Sequence, residues 1–321
     1  MSWKLPGLEE LDEAAELIYR HMPPTPQYNW PLIDKMVGTE VWIKHENHTP
    51  VGAFKIRGGI VYMEALKQRE PNVTGVVGAT RGNHGQSMGF AARITAVPAV
   101  VVVPYGNSPE KNAAMRALGV ELIVSGEDFQ AACESADRIA LERGMHRLPS
   151  MHPMLVRGVG TYGVEFLRAV PELDTVYVPI GMGSGICGMM AARDALGLKT
   201  RVVGVVSTGA PAYKLSFEAG EKIEHAVTTM LADGMACRSP NEDALAAMLA
   251  GCERVIAVSD EDVAVAMREL FISTHNVAEG AGAASFAAAL QEKDKMRGKR
   301  IGVVLCGGNV DADVFAKVLA G

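Results

Sequence analysis

Short runs of nearly continuous apolar residues alternate along this chain with longer stretches of helical periodicity. The runs predict strands at Glu40–Lys44, Gly75–Ala79, Ala99–Val103, Glu121–Val124, Thr175–Pro179, Arg201–Val206, Arg254–Val258 and Arg300–Leu305. Between them, helices are predicted at Ile56–Gln68, Pro109–Leu118, Asp128–Arg143, Ser184–Ala195, Glu261–Ser273 and Ala312–Leu319, among others. Strands that are apolar at almost every position are covered on both faces, and strands separated by helices pair in parallel. Four strands fall before about residue 125 and four after about residue 175, which predicts two α/β lobes with a break near Gly144–Pro153. In such sheets ligands bind beyond the carboxyl ends of the strands. The loops that follow the strands are therefore where chemistry is expected.

Composition narrows the class. A chain of 321 residues, 48% apolar and 21% charged, can bury the core of a globular enzyme. The net charge of −6 argues against nucleic acid or an acidic membrane surface as partner. No apolar run reaches the length of a membrane span and no leader pattern opens the chain. Five widely spaced cysteines (Cys133, Cys187, Cys237, Cys252 and Cys306) form no disulfide or zinc pattern and suit a reducing, cytoplasmic setting. In that setting the Asn47-His48-Thr49 sequon has no meaning.

Four loop segments carry candidate chemistry. Thr49–Gly59 places Lys55 between a Pro-Gly turn and an amphipathic stretch, with Phe54 and Ile56 beside it. A desolvated amine has a lowered pKa and is nucleophilic, which suits condensation with an aldehyde cofactor. The bland alternative is a helix start that happens to carry a lysine. Gly181-Met182-Gly183-Ser184-Gly185 follows a strand and opens a helix, where free N–H groups and the dipole favour a phosphate. As a dinucleotide fingerprint it is broken, because Ile186 stands at the third glycine and no acid ends the next strand. Thr80-Arg81-Gly82-Asn83-His84 is either an ordinary capping loop or a cradle for a carboxylate and a ring oxygen. Cys306, followed by two glycines, is either a core thiol or a weak polar group set against a flat ring.

Together, and in this order, these segments resemble the fold-type II pyridoxal-phosphate enzymes, the tryptophan synthase β family, and within it the serine/threonine dehydratases. The likeness also takes in Thr25-Pro26, Gly160–Glu165, Ala232-Asp233-Gly234 and Glu279-Gly280-Ala281-Gly282, so it spans nearly the whole chain. It implies a two-lobed α/β fold with mainly parallel sheets flanked by helices. Residues 1–48 and 151–321 would form a large cofactor-binding lobe and 49–150 a small substrate lobe. By resemblance, Lys55 holds pyridoxal 5′-phosphate and acts as base, Phe54 packs beside the ring, and Asn83 bonds its 3′-oxygen. Gly181, Met182, Gly183, Ser184 and Gly185 hold the phosphate, Cys306 faces the pyridine nitrogen, and Glu279 belongs to the cofactor site. Thr80, Arg81, Gly82, Asn83 and His84 receive the substrate, an amino acid. The expected reaction removes water from a β-hydroxy-α-amino acid of the L-threonine/L-serine type, leaving a 2-oxo acid and ammonia. The family is usually dimeric or tetrameric. Feedback control through the extra domain of biosynthetic relatives is not expected here.

Departures from the family pattern shape the reading. Racemising relatives carry serine where Arg81 stands, and a guanidinium is a poor proton donor. Arg81 is expected either to contact an anion or to point outward into solvent. Ser207-Thr208-Gly209 occupies the place of an acidic divalent-cation ligand, so that site is expected to be missing. His45 and His48 read as pocket wall or structure, not as a metal pair. Two other substrates stay open: threo-3-hydroxyaspartate, which would give Arg81 a carboxylate to bind, and phenylserine, if His45, His48 and Gln27–Pro31 alter the pocket. A β-replacement synthase, a nicotinamide dehydrogenase and a non-catalytic cofactor-binding protein are the rival readings.

Overall fold

A computed structural model describes residues 3–321. The strands are β1 (Gln27–Asn29), β2 (Glu40–His45), β3 (Val76–Ala79), β4 (Ala99–Val103), β5 (Glu121–Val124), β6 (His146–Arg147), β7 (Thr175–Pro179), β8 (Arg201–Ser207), β9 (Arg254–Val258) and β10 (Arg300–Leu305). The helices are α1 (Leu8–Tyr19), α2 (Pro31–Val37), α3 (Lys55–Arg69), α4 (Asn83–Thr95), α5 (Pro109–Ala117), α6 (Phe129–Arg143) and α7 (Pro153–Ala169). They continue as α8 (Ser184–Ala195), α9 (Ala212–Ala219), α10 (Glu242–Gly251), α11 (Asp260–Thr274), α12 (Gly280–Gln291) and α13 (Ala312–Ala320).

The strands form a six-stranded sheet, β1-β2-β10-β7-β8-β9, and a four-stranded sheet, β5-β4-β3-β6. Every pairing is parallel except β1 with β2. The expected even division by chain order is corrected to six and four. β2 leaves the N-terminal half and pairs with β10. The unpredicted β1 and β6 have only three and two residues, too short for a period to register. All eight predicted strands form, within a residue of the expected bounds. No described helix is long and apolar enough to cross a membrane.

The largest core cluster lies around the six-stranded sheet and includes α12, whose ten residues from Gly280 to Ala289 are all buried. The Lys55-bearing helix α3 is pressed against α7 through paired glycines. A Cβ on Gly158 would stand 2.3 Å from the Arg57 carbonyl, and one on Gly58 2.8 Å from the Leu155 carbonyl. Below this contact the fully buried Arg57 donates to Glu46 Oε2 (2.7 Å) and Glu165 Oε1 (2.6 Å), while Lys44 donates to Glu165 Oε2 (2.6 Å). Two cations and two carboxylates thus neutralise each other inside the core, which such groups require. Burial opposes the charge on Glu165, yet Arg57 and Lys44 hold its carboxyl below the ordinary value.

Candidate active site

A cleft with about 920 Å³ of empty space opens where β3, β7 and β10 end, between the two sheets. Its lining includes every residue that the sequence singled out for the site: Phe54, Lys55, Thr80–His84, Gly181–Gly185, Glu279 and Cys306. These positions are spread over more than two hundred residues of chain. Backbone bonds bring them together: Phe54 N–H donates to the Cys306 carbonyl (3.0 Å), Gly308 N–H to Gly52 (2.9 Å) and Glu279 N–H to Gly307 (3.1 Å).

Lys55 is the first residue of α3. Its carbonyl accepts from Ser87 Oγ (2.6 Å), and its ammonium lies 5.2 Å from the Phe54 ring centroid. Among the described residues no group hydrogen-bonds its Nζ. Burial lowers its pKa, against the opposing pull of Cys306 and Glu279. Cys306 is buried, and desolvation pushes its thiol well above the ordinary value, so it stays protonated. Burial likewise raises the Glu279 carboxyl to about 7. Its Oε2 has no hydrogen-bond partner among the described residues and lies 4.0 Å from Lys111 Nζ.

The Gly181–Gly185 loop carries the chain from β7 into α8. Gly183 sits at φ 103°, a conformation open to glycine, and no side chain caps the helix. A Cβ on Gly181 would stand 2.5 Å from the Gly234 carbonyl, and one on Gly183 2.6 Å from Ala244 Cβ. The result is a tight turn whose first-turn N–H groups are left without a side-chain cap, as an anion site at a helix start requires.

The loop after β3 behaves differently from expectation in one respect. Thr80 N–H is spent on the Val102 carbonyl (3.0 Å), and Thr80 Oγ1 accepts from Gly82 N–H (2.9 Å). Gly85 N–H also donates to Thr80 Oγ1 (3.4 Å), so the donors left for a carboxylate are the Thr80 hydroxyl and the N–H groups of Asn83 and His84 at the start of α4. Asn83 Nδ2 donates to Glu279 Oε1 (2.6 Å) and Asn83 Oδ1 accepts from Asn309 Nδ2 (2.8 Å). His84 is buried, and desolvation followed by the Lys55 charge drops its pKa to about 3, so the ring is neutral. Arg81 is exposed at the mouth of the cleft and makes no hydrogen bond or ion pair with the described residues.

Sequence reasoning gave no role to Lys111 or Asp233. They form a 2.7 Å ion pair in the cleft wall, Lys111 on α5 between β4 and β5 and Asp233 in the segment between α9 and α10. Burial works against the Lys111 charge, but Glu279 and Asp233 outweigh it and raise its pKa. A charged pair so far apart in sequence leaves no local signal; only the Ala232-Asp233-Gly234 motif hinted at one half of it. Phe129 and Ser150 also line the cleft unannounced. His45 and His48 do not line it, which corrects the pocket-wall reading. Their rings lie 5.2 Å apart, and buried His45 accepts from Trp30 Nε1 (3.2 Å).

A sequence model of the family described as pyridoxal-phosphate dependent enzyme matches residues 18–307. The chain belongs to this family. Pyridoxal phosphate is its cofactor, and the dinucleotide reading of the glycine loop is set aside. The chain is 32% identical over 317 residues to an L-threonine ammonia-lyase of Thermotoga maritima, covering 97% of this chain and 78% of that one. It is 28% identical to an L-threo-3-hydroxyaspartate ammonia-lyase of Saccharomyces cerevisiae, over 99% of this chain and 97% of the relative. A solved pyridoxal 5′-phosphate-dependent aspartate racemase superposes with a TM-score of 0.92 at 27% identity, covering 97% of this chain and 98% of that one.

The cleft of this pyridoxal-phosphate enzyme fits the cofactor on its own geometry. An amine without a hydrogen-bond partner, a helix start without a side-chain cap and a loop that leaves no room for a Cβ at Gly181 or Gly183 face one space.

Proposed function

We propose that this enzyme removes water from a β-hydroxy-α-amino acid of the L-threonine/L-serine type, giving a 2-oxo acid and ammonia. The observation that carries the reading is the pairing of a desolvated Lys55 amine with a protonated Cys306 thiol in one cleft. When bound, pyridoxal phosphate supplies an electron sink for the pair released at Cα. The residues around it set what that sink does. Gly181–Gly185 and the α8 N-terminus hold the phosphate, and Asn83 meets the ring oxygen. Lys55 would hold the cofactor, and its buried amine, with a pKa lowered by desolvation, would act as the base at Cα. Cys306, a weak polar group, cannot keep a proton on the pyridine nitrogen as a carboxylate would. Cys306 in that place would therefore favour elimination of the β-hydroxyl.

The Thr80 hydroxyl and the α4 N-terminus receive the α-carboxylate. The neutral His84 ring can accept a hydrogen bond from a hydroxyl substituent. A racemase would need a proton donor on the face opposite Lys55, and the Arg81 guanidinium is unsuited to that task. The L-threonine ammonia-lyase relative supports elimination.

Arg81 favours a second reading of the substrate. The two carboxylates of the cleft are already answered, Asp233 by Lys111 and Glu279 by Asn83 and Lys111. Arg81 is left as a cation without a partner, and a β-carboxylate would supply one. The named substrate of the 3-hydroxyaspartate relative agrees with this.

The test is 2-oxo acid release from L-serine, L-threonine, threo- and erythro-3-hydroxyaspartate and phenylserine, with wild type and Lys55→Ala in parallel. Product from one of them, lost in the variant, is expected. A wild type that binds cofactor yet leaves all five untouched would turn the reading towards β-replacement.

A further inference from the structure

Asn83 can serve the cofactor's ring oxygen only if its amide faces the right way, and side-chain amides have two nearly isosteric orientations. The surroundings of Asn83 choose between them. The chain of bonds begins at the Val51 carbonyl, a backbone group that can only accept. Asn309 Nδ2 donates to that oxygen (2.9 Å) and also to Asn83 Oδ1 (2.8 Å). Both hydrogens of Asn309 are therefore used. Asn83 Nδ2 donates in turn to Glu279 Oε1 (2.6 Å). Reversing Asn83 would set its nitrogen against the Asn309 nitrogen, two donors facing each other. Reversing Asn309 would set its oxygen against the Val51 carbonyl. Each amide thus has one permitted orientation, and Asn83 keeps one N–H uncommitted.

The anchor of this chain is itself close-fitted. Gly52, at φ +66°, lies so near Asn309 that a Cβ would stand 2.8 Å from Asn309 Oδ1. The segment from Gly52 to Phe54 is bonded to Cys306–Gly308 by backbone, including an antiparallel bridge between Ala53 and Gly307. Asn309 is thus seated on the same strip of backbone that leads into Lys55.

We infer that Asn309 is a positioning residue for the cofactor: by fixing the polarity of the Asn83 amide, it leaves one Asn83 hydrogen for the cofactor's ring oxygen. The inference rests on the reading that places that oxygen at Asn83. An N–H donor stabilises the anionic form of an oxygen, so this hydrogen favours an ionised ring oxygen in the bound cofactor. Asn309 does this without contributing a cleft-lining side chain.

The experiment uses cofactor-loaded protein and reads the absorption spectrum of the bound cofactor, with its dissociation constant measured in parallel. Asn309→Asp can only accept at this position, so it invites Asn83 to turn its nitrogen away from Glu279. The ratio of the visible to the near-ultraviolet band is expected to fall by about tenfold, equivalent to one unit in the ionisation of the ring oxygen. Asn83→Ala should shift the ratio in the same direction. The double variant should move it no further than the larger single effect, because both act on one bond. Asn309→Ser, uncharged and smaller, serves if the aspartate variant does not fold, and is expected to give a shift of the same sign. An unchanged spectrum in cofactor-loaded Asn309→Asp or Asn309→Ser, beside a shifted Asn83→Ala, overturns the role of Asn309. An unchanged spectrum in Asn83→Ala overturns the placement of the ring oxygen instead.

Discussion

Asn83 and Glu279 are 196 residues apart in sequence and 2.6 Å apart in space, joined by an amide-to-carboxylate hydrogen bond across the cleft. Asn83 opens the helix after β3, and Glu279 stands immediately before α12. The bond holds Glu279 in a cleft that also carries the Cys306 thiol, the Lys55 amine, the neutral His84 ring and the Lys111–Asp233 pair. Its titration is set by burial, which raises the Glu279 pKa to about 7 despite Lys111 nearby.

That shift has a consequence for stability. The folded state keeps a proton on Glu279 up to about pH 7, whereas the unfolded chain loses it near 4.5. Stability from this group is present below the unfolded value and is lost as pH rises towards 7. Cofactor-free wild type should lose up to about 3 kcal/mol more than Glu279→Gln over that window. Urea unfolding of both proteins from pH 4 to 8 measures it; parallel curves would refute the raised carboxyl.

Arg81→Ala separates the two substrate readings. If Arg81 meets a β-carboxylate, the loss of a charge-assisted bond should lower kcat/KM for threo-3-hydroxyaspartate by about ten- to a hundredfold. The same variant should leave L-threonine within about threefold, since no second carboxylate is there to contact. Equal effects on both substrates would return Arg81 to the role of a solvated arginine.

Gly183→Ala tests the phosphate cradle. The added Cβ meets Ala244 Cβ at 2.6 Å and the backbone sits at φ 103°. The cost is expected to be about 1–3 kcal/mol, seen as a weaker cofactor dissociation constant and a lower Tm of the holoenzyme. An unaltered cofactor affinity would mean that the loop tolerates a side chain and is not shaped around a ligand.

Arg57→Met tests the buried charge cluster beneath Lys55. It leaves Glu46 without its ion-pair partner and Glu165 with Lys44 alone, and should destabilise the fold by about 3–5 kcal/mol. Equilibrium denaturation reads this directly. A cost below about 1 kcal/mol would show that the carboxylates find water or protonate without penalty.

The alternation of apolar runs with helical periods determined most of the secondary structure here, because β-strand burial and helix amphipathicity are written in neighbouring residues. The loops after the strands could likewise be found locally, since Gly183 at positive φ and Lys55 beside Phe54 are short-range signals. Tertiary structure alone decided the partners. That β2 joins β10, and not β3, depends on packing between residues about 260 positions apart, which no local pattern records. The same holds for Lys111 with Asp233 and for the Val51–Asn309–Asn83–Glu279 chain. Polar groups like these are selected by what the fold places opposite them, and an unpaired buried donor or acceptor costs free energy wherever it lies in the sequence.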